Sequence, residues 1–374
     1  MERKRVFITG GGSGGHLWPM FVVAKKLQKK YEIIILSDRN LKNEQIFKNE
    51  KFRSYKILSG KINRFHTFSA YYKNFLNLIL FAFGLIQSLI ILLFLRPSLI
   101  FSKGGYAALP ISFTAHLLKI PTIIHESDLA LGLTNRLSLK NASKIAVSFP
   151  PENYNLPLDK IAYTGHILRP EIFLTDTGHI RDTRNKLELN QKLPIILITG
   201  GSQGSLALNK IVARSINQLL SFSNIIHISG IRDYHWLKES VVKNNGPGKY
   251  FLEGYTSDMI DYLKISDLII TRAGSNTLAE IAALKKPAII IPYQYASANH
   301  QYKNAQYFSK NSAGILIEEE NLNHGFLIKT IKELLSDKEK LQLLGDNAYR
   351  INLFNGVENL ERLISQILDG KEKK

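Results

Sequence analysis

His16 stands directly behind Gly10-Gly11-Gly12-Ser13-Gly14-Gly15, and that neighbourhood already suggests a chemistry. Glycines let a backbone turn tightly and approach a ligand, and the unpaired N–H groups at the start of a following helix point at its negative oxygens. An imidazole beside that anion can take or give a proton near neutral pH. A second run, Gly200-Gly201-Ser202-Gln203-Gly204-Ser205, repeats the loop about 190 positions later without the histidine. Two glycine loops imply two phosphate-bearing ligands or one long one. Other apolar runs also end in polar residues: Lys103-Gly104-Gly105-Tyr106, His125-Glu126-Ser127-Asp128, and Thr271 through Glu280. Each has a plainer explanation as turn chemistry. Asp128 could cap a helix, and Thr277 with Glu280 has the spacing of a capping box. No Asp-x-Asp pair is present to hold a divalent ion on a nucleotide diphosphate, so leaving-group charge would fall to backbone N–H groups and helix dipoles.

The first loop also fits Gly-x-Gly-x-x-Gly, with Asp38 closing the next apolar run where a dinucleotide's ribose would be held. Pro19 argues against that reading. It has the character of a first helical residue, which leaves His16, Leu17 and Trp18 extended, whereas the dinucleotide fingerprint starts its helix inside the glycines.

Loops can converge only if the elements between them bring them to one edge. Short apolar runs near Val6 to Thr9, Ile33 to Leu36, Leu99 to Ser102, Thr122 to His125 and Ile145 to Ser148 alternate with longer helical segments, and the pattern restarts at Ile195 to Thr199. That alternation predicts an α/β protein of two doubly wound, Rossmann-like domains with parallel sheets, ligands collecting at the carboxyl ends of the strands. The proline-rich stretch 149–157 approaches the boundary, and Gly165-His166-Ile167-Leu168-Arg169-Pro170 reads as the connector. The expected domains are residues 1–168 and 169–350, with 351–374 a C-terminal helix packing back on the first domain and ending in a frayed tail. A length of 374 residues suits two domains, and 45% hydrophobic residues exclude disorder for the body of the chain. The absence of cysteine excludes disulfides and thiolate metal sites. A net charge of +18 calls for an anionic partner, yet the basic residues are scattered and form no nucleic-acid motif, so nucleic acid is not expected. The first apolar run is too short for a signal peptide.

Residues 75–95 carry only Asn77, Gln87 and Ser88 as polar side chains. Such a helix could cross a bilayer, could be entirely buried, or could lie on a membrane. A span would put strands of one sheet on opposite sides. The monotopic reading fits best: a helix with a narrow small or polar stripe (Lys73, Asn77, Gly84, Ser88) and an apolar remainder, flanked by Arg64, Lys73 and Arg96, inserts shallowly into an anionic surface.

Gly11-Gly12-x-Gly14-Gly15-His16-x-x-Pro19, Gly104-Gly105-Tyr106, His125-Glu126, Gly132-Leu133-Thr134-Asn135, the second glycine loop, Arg272-x-Gly274 through Glu280, and Asn299-His300-Gln301 with Asn304-Ala305 together resemble the MurG family. That family comprises the membrane-associated N-acetylglucosaminyltransferases that convert lipid I to lipid II in peptidoglycan synthesis, and so serve cell-wall biogenesis and division. The resemblance covers nearly the whole chain. It implies the GT-B architecture, two Rossmann-like domains facing each other across a cleft, with UDP-N-acetylglucosamine held mainly by the second domain and lipid I by the first. It implies no cofactor, no metal, and a peripheral location on the cytoplasmic face of the inner membrane. Carried over by motif, Ser13, Gly14 and Gly15 would line the acceptor diphosphate site, and Asp128 would contact a sugar. Arg169 would reach the nucleotide sugar, and Ser202 and Gln203 the UDP phosphates. Thr256 with Ser275, Asn276, Thr277, Leu278, Ala279 and Glu280 would hold uridine and ribose, and Gln301 the sugar hydroxyls. Ser127-Asp128 replaces the family's Gln-Asn, and a carboxylate at 128 cannot donate. Gly165-His166-Ile167 likewise replaces Gly-Asn-Pro.

The implied chemistry is inverting transfer, in which the acceptor's 4-hydroxyl attacks the anomeric carbon, a base takes its proton and UDP leaves. His16 is the expected base, with Glu126 and Asp128 as rivals. Another GT-B lipid glycosyltransferase, a UDP-sugar epimerase and a non-catalytic sugar-nucleotide-binding subunit remain alternatives. An epimerase needs no apolar helix, and a half-enzyme needs neither both loops nor His16.

Overall fold

Runs such as Glu32-Ile33-Ile34-Ile35-Leu36-Ser37 and Ile195-Ile196-Leu197-Ile198-Thr199 are apolar without alternation, the mark of strands covered on both faces. The computed structural model describes residues 3–11, 14–38, 41, 45–47, 50–60, 68–174, 177–201, 203–240 and 246–370. In chain order its first elements are β1 (Arg5–Thr9), α1 (Gly14–Leu27), β2 (Glu32–Ser37), β3 (Arg53–Lys56), α2 (Phe68–Leu95), β4 (Leu99–Ser102), α3 (Ala108–Leu117), β5 (Thr122–Glu126), α4 (Leu133–Ser138), β6 (Lys144–Val147) and β7 (Ile161–Tyr163). There follow α5 (Thr177–Lys186), β8 (Ile195–Thr199), α6 (Leu206–Leu219), β9 (Asn224–Ile228), α7 (Ile231–Ser240), β10 (Tyr250–Glu253), α8 (Met259–Ile265) and β11 (Leu268–Thr271). The last are α9 (Ser275–Ala283), β12 (Ala288–Ile290), α10 (His300–Lys310), β13 (Ile315–Leu316), α11 (His324–Ser336), α12 (Lys338–Arg350) and α13 (Gly356–Gly370).

The chain divides into a first unit of residues 1–169 with 353–374 and a second unit of residues 170–352. Among the described residues the first unit's sheet has the strand order β3-β2-β1-β4-β5-β6-β7 and the second unit's the order β10-β9-β8-β11-β12-β13, with all pairs parallel. Chain order reverses between β1 and β4 and between β8 and β11. Those reversal points are where ligands collect in open parallel sheets. Sequence reasoning missed β3 and β7. Arg-Ser-Tyr-Lys and Ile-Ala-Tyr are short edge strands with little apolar signal.

In the first unit, α1 and α13 cover one face of the sheet. Leu360, Ile364 and Leu368 of α13 share a core with Val6, Ile8, Val23 and Leu27. Lys30 meets Glu361 at 2.7 Å over this contact. The start of α1 departs from the sequence reading. The helix begins at Gly14, so Pro19 lies inside it and His16, Leu17 and Trp18 are helical rather than extended. Proline removes one bond, to the Gly15 carbonyl one turn back, and the glycines preceding it allow the helix to open a turn early. The distinction drawn from the dinucleotide fingerprint on this ground therefore fails.

On the opposite face, α2 is oriented by its polar stripe. Ser88 and Leu92 are buried. Gly84 has no room for a side chain, since a Cβ would collide with the Leu58 carbonyl. Gln87 accepts from Leu58 N–H at 2.8 Å and donates to the Lys56 carbonyl at 2.9 Å, occupying the backbone just beyond β3. Arg5 caps the other end, donating to the Leu95 carbonyl at 3.0 Å. The apolar surface faces outward: Phe75, Phe83, Ile86, Ile90 and Phe94 are exposed, Phe94 by 81%. An entirely buried helix is thus excluded, and β3 and β4 at its two ends belong to one sheet. Of the flanking cations, Lys73 and Arg96 are exposed, while Arg64 lies outside the described residues.

In the second unit a closed polar network supports the turn after β9. Asn209 of α6 donates to the Ser229 carbonyl at 2.9 Å and to Asp233 Oδ2 at 2.8 Å. Its carbonyl oxygen accepts from His227 Nε2 at 3.0 Å, which leaves His227 Nδ1 to accept from the Tyr250 hydroxyl at 2.9 Å. Burial pushes the His227 ring down to about 3, from 6.5 for a free imidazole. A depressed folded value means that the unfolded chain binds the proton more readily. The network's stability is therefore complete above pH 6.5 and lost progressively as pH falls toward 3. Urea titrations at pH 7 and pH 5 should show a loss on acidification, with this residue contributing up to about 1.4 kcal/mol per pH unit. His227→Gln should be less stable at pH 7 but less acid-sensitive, and equal acid sensitivity in both proteins would count against this origin.

Candidate active site

Three turns meet at the carboxyl edge of the first sheet. The backbones of the turns after β1 and β4 touch, and a Cβ on Gly105, whose φ is +87°, would sit 2.8 Å from Gly11 N. Only glycine permits that approach at that backbone angle. Gly14 and Gly15 open α1, and His16 follows in its first turn. His16 Nδ1 lies 2.5 Å from the Gly11 carbonyl. A carbonyl only accepts, so Nδ1 carries the proton and Nε2 keeps the lone pair, the tautomer required of a base. Burial, and then the charge of Lys103, holds the ring below the ordinary imidazole value. Ser13 lies outside the described residues.

Glu126, at the end of β5, is committed elsewhere. Its Oε1 accepts from Asp128 N–H at 3.2 Å, and its Oε2 accepts from Gly132 N–H and Asn135 Nδ2, each at 2.9 Å. These bonds hold the 126–132 turn in place, and they leave the carboxylate poorly placed to receive a substrate proton. Burial raises its pKa, with the neighbouring Asp128 charge adding to the effect. Asp128 is half-buried, and its charge acts on His16. Arg169 stays with the first unit, its guanidinium 5.1 Å from the centroid of the Trp18 ring on α1.

The second sheet's carboxyl edge gathers the remaining expected residues, apart from Ser202, which lies outside the described residues. Gln203 is exposed in the turn between β8 and α6. Ser205 caps α6, accepting from Leu208 N–H at 3.3 Å. Thr256 Oγ1 accepts from Asp258 N–H at 3.0 Å in the turn after β10. The helix α9 is capped by Gly274, not by Thr277, so the capping box suggested by Thr277 and Glu280 does not form. Thr277 is the third helical residue and Glu280 lies a turn further on. Leu278 and Ala279 are core residues, which leaves Asn276, Thr277 and Glu280 as the partly open side chains of that stretch. Gln301 Oε1 accepts from Tyr293 N–H at 2.9 Å, turning its amide N–H₂ into the group with donors to offer.

Several residues that build these edges received no role from the sequence. Asn135 ties α4 to β5 through the His125 carbonyl at 3.0 Å as well as Glu126. Arg272 is buried and binds the Ser205 hydroxyl at 2.6 Å, the Ile291 and Pro292 carbonyls at 3.1 and 3.2 Å, and Glu319 at 2.6 Å. It thereby joins the turns after β8, β11 and β12. Lys103 is 3% exposed and donates to Ser127 Oγ at 2.6 Å. The available signal was a charged residue at the end of an apolar run, which sequence alone reads as a turn residue in solvent.

Residues 6–147 match the glycosyltransferase family 28 N-terminal domain and residues 195–369 the glycosyltransferase family 28 C-terminal domain. A Clostridium tetani protein is 31% identical over 369 residues, covering 97% of this chain and 98% of that one. A Clostridium kluyveri protein is 35% identical over 333 residues, covering 88% and 91%. Both are named UDP-N-acetylglucosamine--N-acetylmuramyl-(pentapeptide) pyrophosphoryl-undecaprenol N-acetylglucosamine transferase. The crystal structure of Acinetobacter baumannii MurG aligns with a TM-score of 0.74 at 23% identity, covering 97% of this chain and 99% of that one. A UDP-N-acetylglucosamine 2-epimerase aligns with a TM-score of 0.68 at 12% identity, covering 100% and 98%. These two likenesses concern the fold, which is α/β of the GT-B class with two doubly wound Rossmann-like domains. With family models matching both halves and relatives of this identity along nearly its whole length, the chain belongs to the MurG family of N-acetylglucosamine transferases.

Proposed function

We propose that this protein moves N-acetylglucosamine from UDP-N-acetylglucosamine to the 4-hydroxyl of the muramoyl sugar of lipid I, giving lipid II and UDP with inversion at the anomeric carbon. The first unit takes the lipid-linked acceptor and the second the nucleotide sugar. The observation that carries the mechanism is the His16 tautomer. With Nδ1 committed to the Gly11 carbonyl, Nε2 receives the hydroxyl proton as the oxygen attacks C1 and the C1–O bond to UDP breaks. Gly14 and Gly15 at the start of α1 suit an acceptor diphosphate, and Asp128 suits a hydroxyl of the acceptor. In the second unit Gln203 approaches the UDP phosphates, Thr256 and the 275–280 stretch hold uridine and ribose, and the Gln301 amide donates to the donor sugar. No cofactor enters this scheme.

The outward apolar face of α2, with Lys73 and Arg96 beside it, fits a protein resting on the anionic cytoplasmic face of the membrane where lipid I lies. Every exposed phenylalanine or isoleucine that enters lipid adds on the order of 1 kcal/mol or more, so a few suffice to hold the protein there.

Three measurements test these assignments. Transfer of labelled N-acetylglucosamine to a lipid I analogue by His16→Ala should fall by at least about a hundredfold while the donor KM stays within about twofold, and near-normal turnover would sink the base assignment. Glu280→Ala should weaken UDP-N-acetylglucosamine binding by roughly tenfold in calorimetry, the scale of one lost charge-assisted hydrogen bond, and unchanged affinity would remove it from the uridine site. Sedimentation with phosphatidylglycerol-containing vesicles should show Phe94→Glu binding at least about tenfold more weakly than the parent, whereas equal binding would place the membrane contact elsewhere.

A further inference from the structure

We propose that Lys103 is a positioning residue for the transfer, its ammonium sealed beneath the two touching glycine turns so that the His16 ring stays in its proton-accepting form. Lys103 follows β4 directly, and its backbone N–H donates to the Thr9 carbonyl at 2.8 Å, which fixes it at the point where the sheet order reverses. Its Cβ packs 3.3 Å from where a Cβ on Gly10 would stand, so the residue forms the floor of the first glycine turn. Among the described residues, Ser127 Oγ is the one hydrogen-bond acceptor that Nζ reaches. An ammonium has three donors, and with one hydrogen-bond acceptor at this depth the cost of its desolvation falls on the nearby Glu126 and Asp128 carboxylates. A methionine would fill the same space without that cost. Costly buried charge beside a reaction site points to an electrostatic task there.

The groups around it define the task. Its charge acts on His16 of α1, which is bonded to the same glycine turn through the Gly11 carbonyl, and the Asp38 carboxylate just beyond β2 acts on the same ring. From β5 and its turn come His125, Glu126 and Asp128; behind these His166 acts on His125, and the Glu126 charge acts on Tyr154. Asp38 and Asp128 favour the protonated imidazole, whereas Lys103 opposes it. Burial is the larger force holding the ring neutral, and Lys103 is the cation that adds to it against the two carboxylates. Burial lowers the Lys103 pKa, while Glu126 and Asp128 act to keep the group charged.

The proposal rests on His16 as the base, and its test separates the two ideas. The titration of the His16 ring, followed by NMR in the full-length protein, should move upward by about 1 pH unit in Lys103→Met and stay near the parent value in Lys103→Arg. The acid limb of the kcat profile should move upward by the same amount, so that Lys103→Met loses activity at a higher pH than the parent on acidification, with the KM for UDP-N-acetylglucosamine unchanged. Lys103→Gln, which keeps a donor for Ser127 Oγ, serves if the methionine variant does not fold. A folded neutral variant whose His16 ring titrates as in the parent would overturn the proposal and reduce Lys103 to packing. A ring titration that moves while the kcat profile does not would overturn the base assignment instead, leaving the hold of Lys103 on the ring intact.

Discussion

Two parallel strands cannot be joined by a tight turn, and each crossover must return over a face of the sheet before the next strand begins. Every turn leaving a strand's carboxyl end therefore falls on one edge, whatever the sequence distance between the strands. That constraint acts twice in this chain. In the first unit it brings the turns after β1, β4 and β5 together, and with them His16, Lys103 and the Glu126–Asp128 pair, from three distant stretches of sequence. In the second it brings together the turns after β8, β11 and β12, which Arg272 then joins.

The two edges treat buried polarity differently. In the second unit the deep polar side chains close on one another. Asn209 uses both its donors and its acceptor, and Arg272 spreads its guanidinium over a hydroxyl, two carbonyls and a carboxylate. Such networks make the edge a rigid mould for a ligand of fixed shape. In the first unit the Glu126 carboxylate is fully engaged, but the basic groups beside it are not. Among the described residues Lys103 has one acceptor, and the His16 ring has one nitrogen held and the other left with its lone pair. Incomplete pairing is costly to a fold, and it is also what leaves a group able to react.

Much of this was readable in the sequence because it depends on local pattern. Strand, glycine loop and helix recur in order, and β-branched runs such as Ile195 to Ile198 mark strands buried on both faces. What could not be read depends on tertiary context. The rule that proline opens helices gave way at Pro19 because a glycine turn precedes it and only one backbone bond is lost. Thr277 and Glu280 have capping-box spacing, but the helix starts two residues earlier, at Ser275, with Gly274 as its cap. Periodicity located the small and polar stripe of α2 without showing which way it would face. The answer came from backbone approach, because only Gly84 lets the helix settle against the Leu58 carbonyl. Lys103 was indistinguishable from a solvated turn lysine until the neighbouring turns closed over it.

The return of α13 to the first unit bears on how the protein is made. Leu360, Ile364 and Leu368 form one wall of the core that also holds β1, yet the ribosome delivers them last, after the whole of residues 170–352. While the second unit, a single continuous stretch, is being synthesised, the first is open along one side, with Leu17, Val23 and Leu27 lacking their eventual cover. The outward apolar helix α2, made earlier, is already exposed throughout that interval. The nascent first unit thus presents two greasy surfaces at once, one to be closed by its own C-terminal end and one that the finished fold never covers.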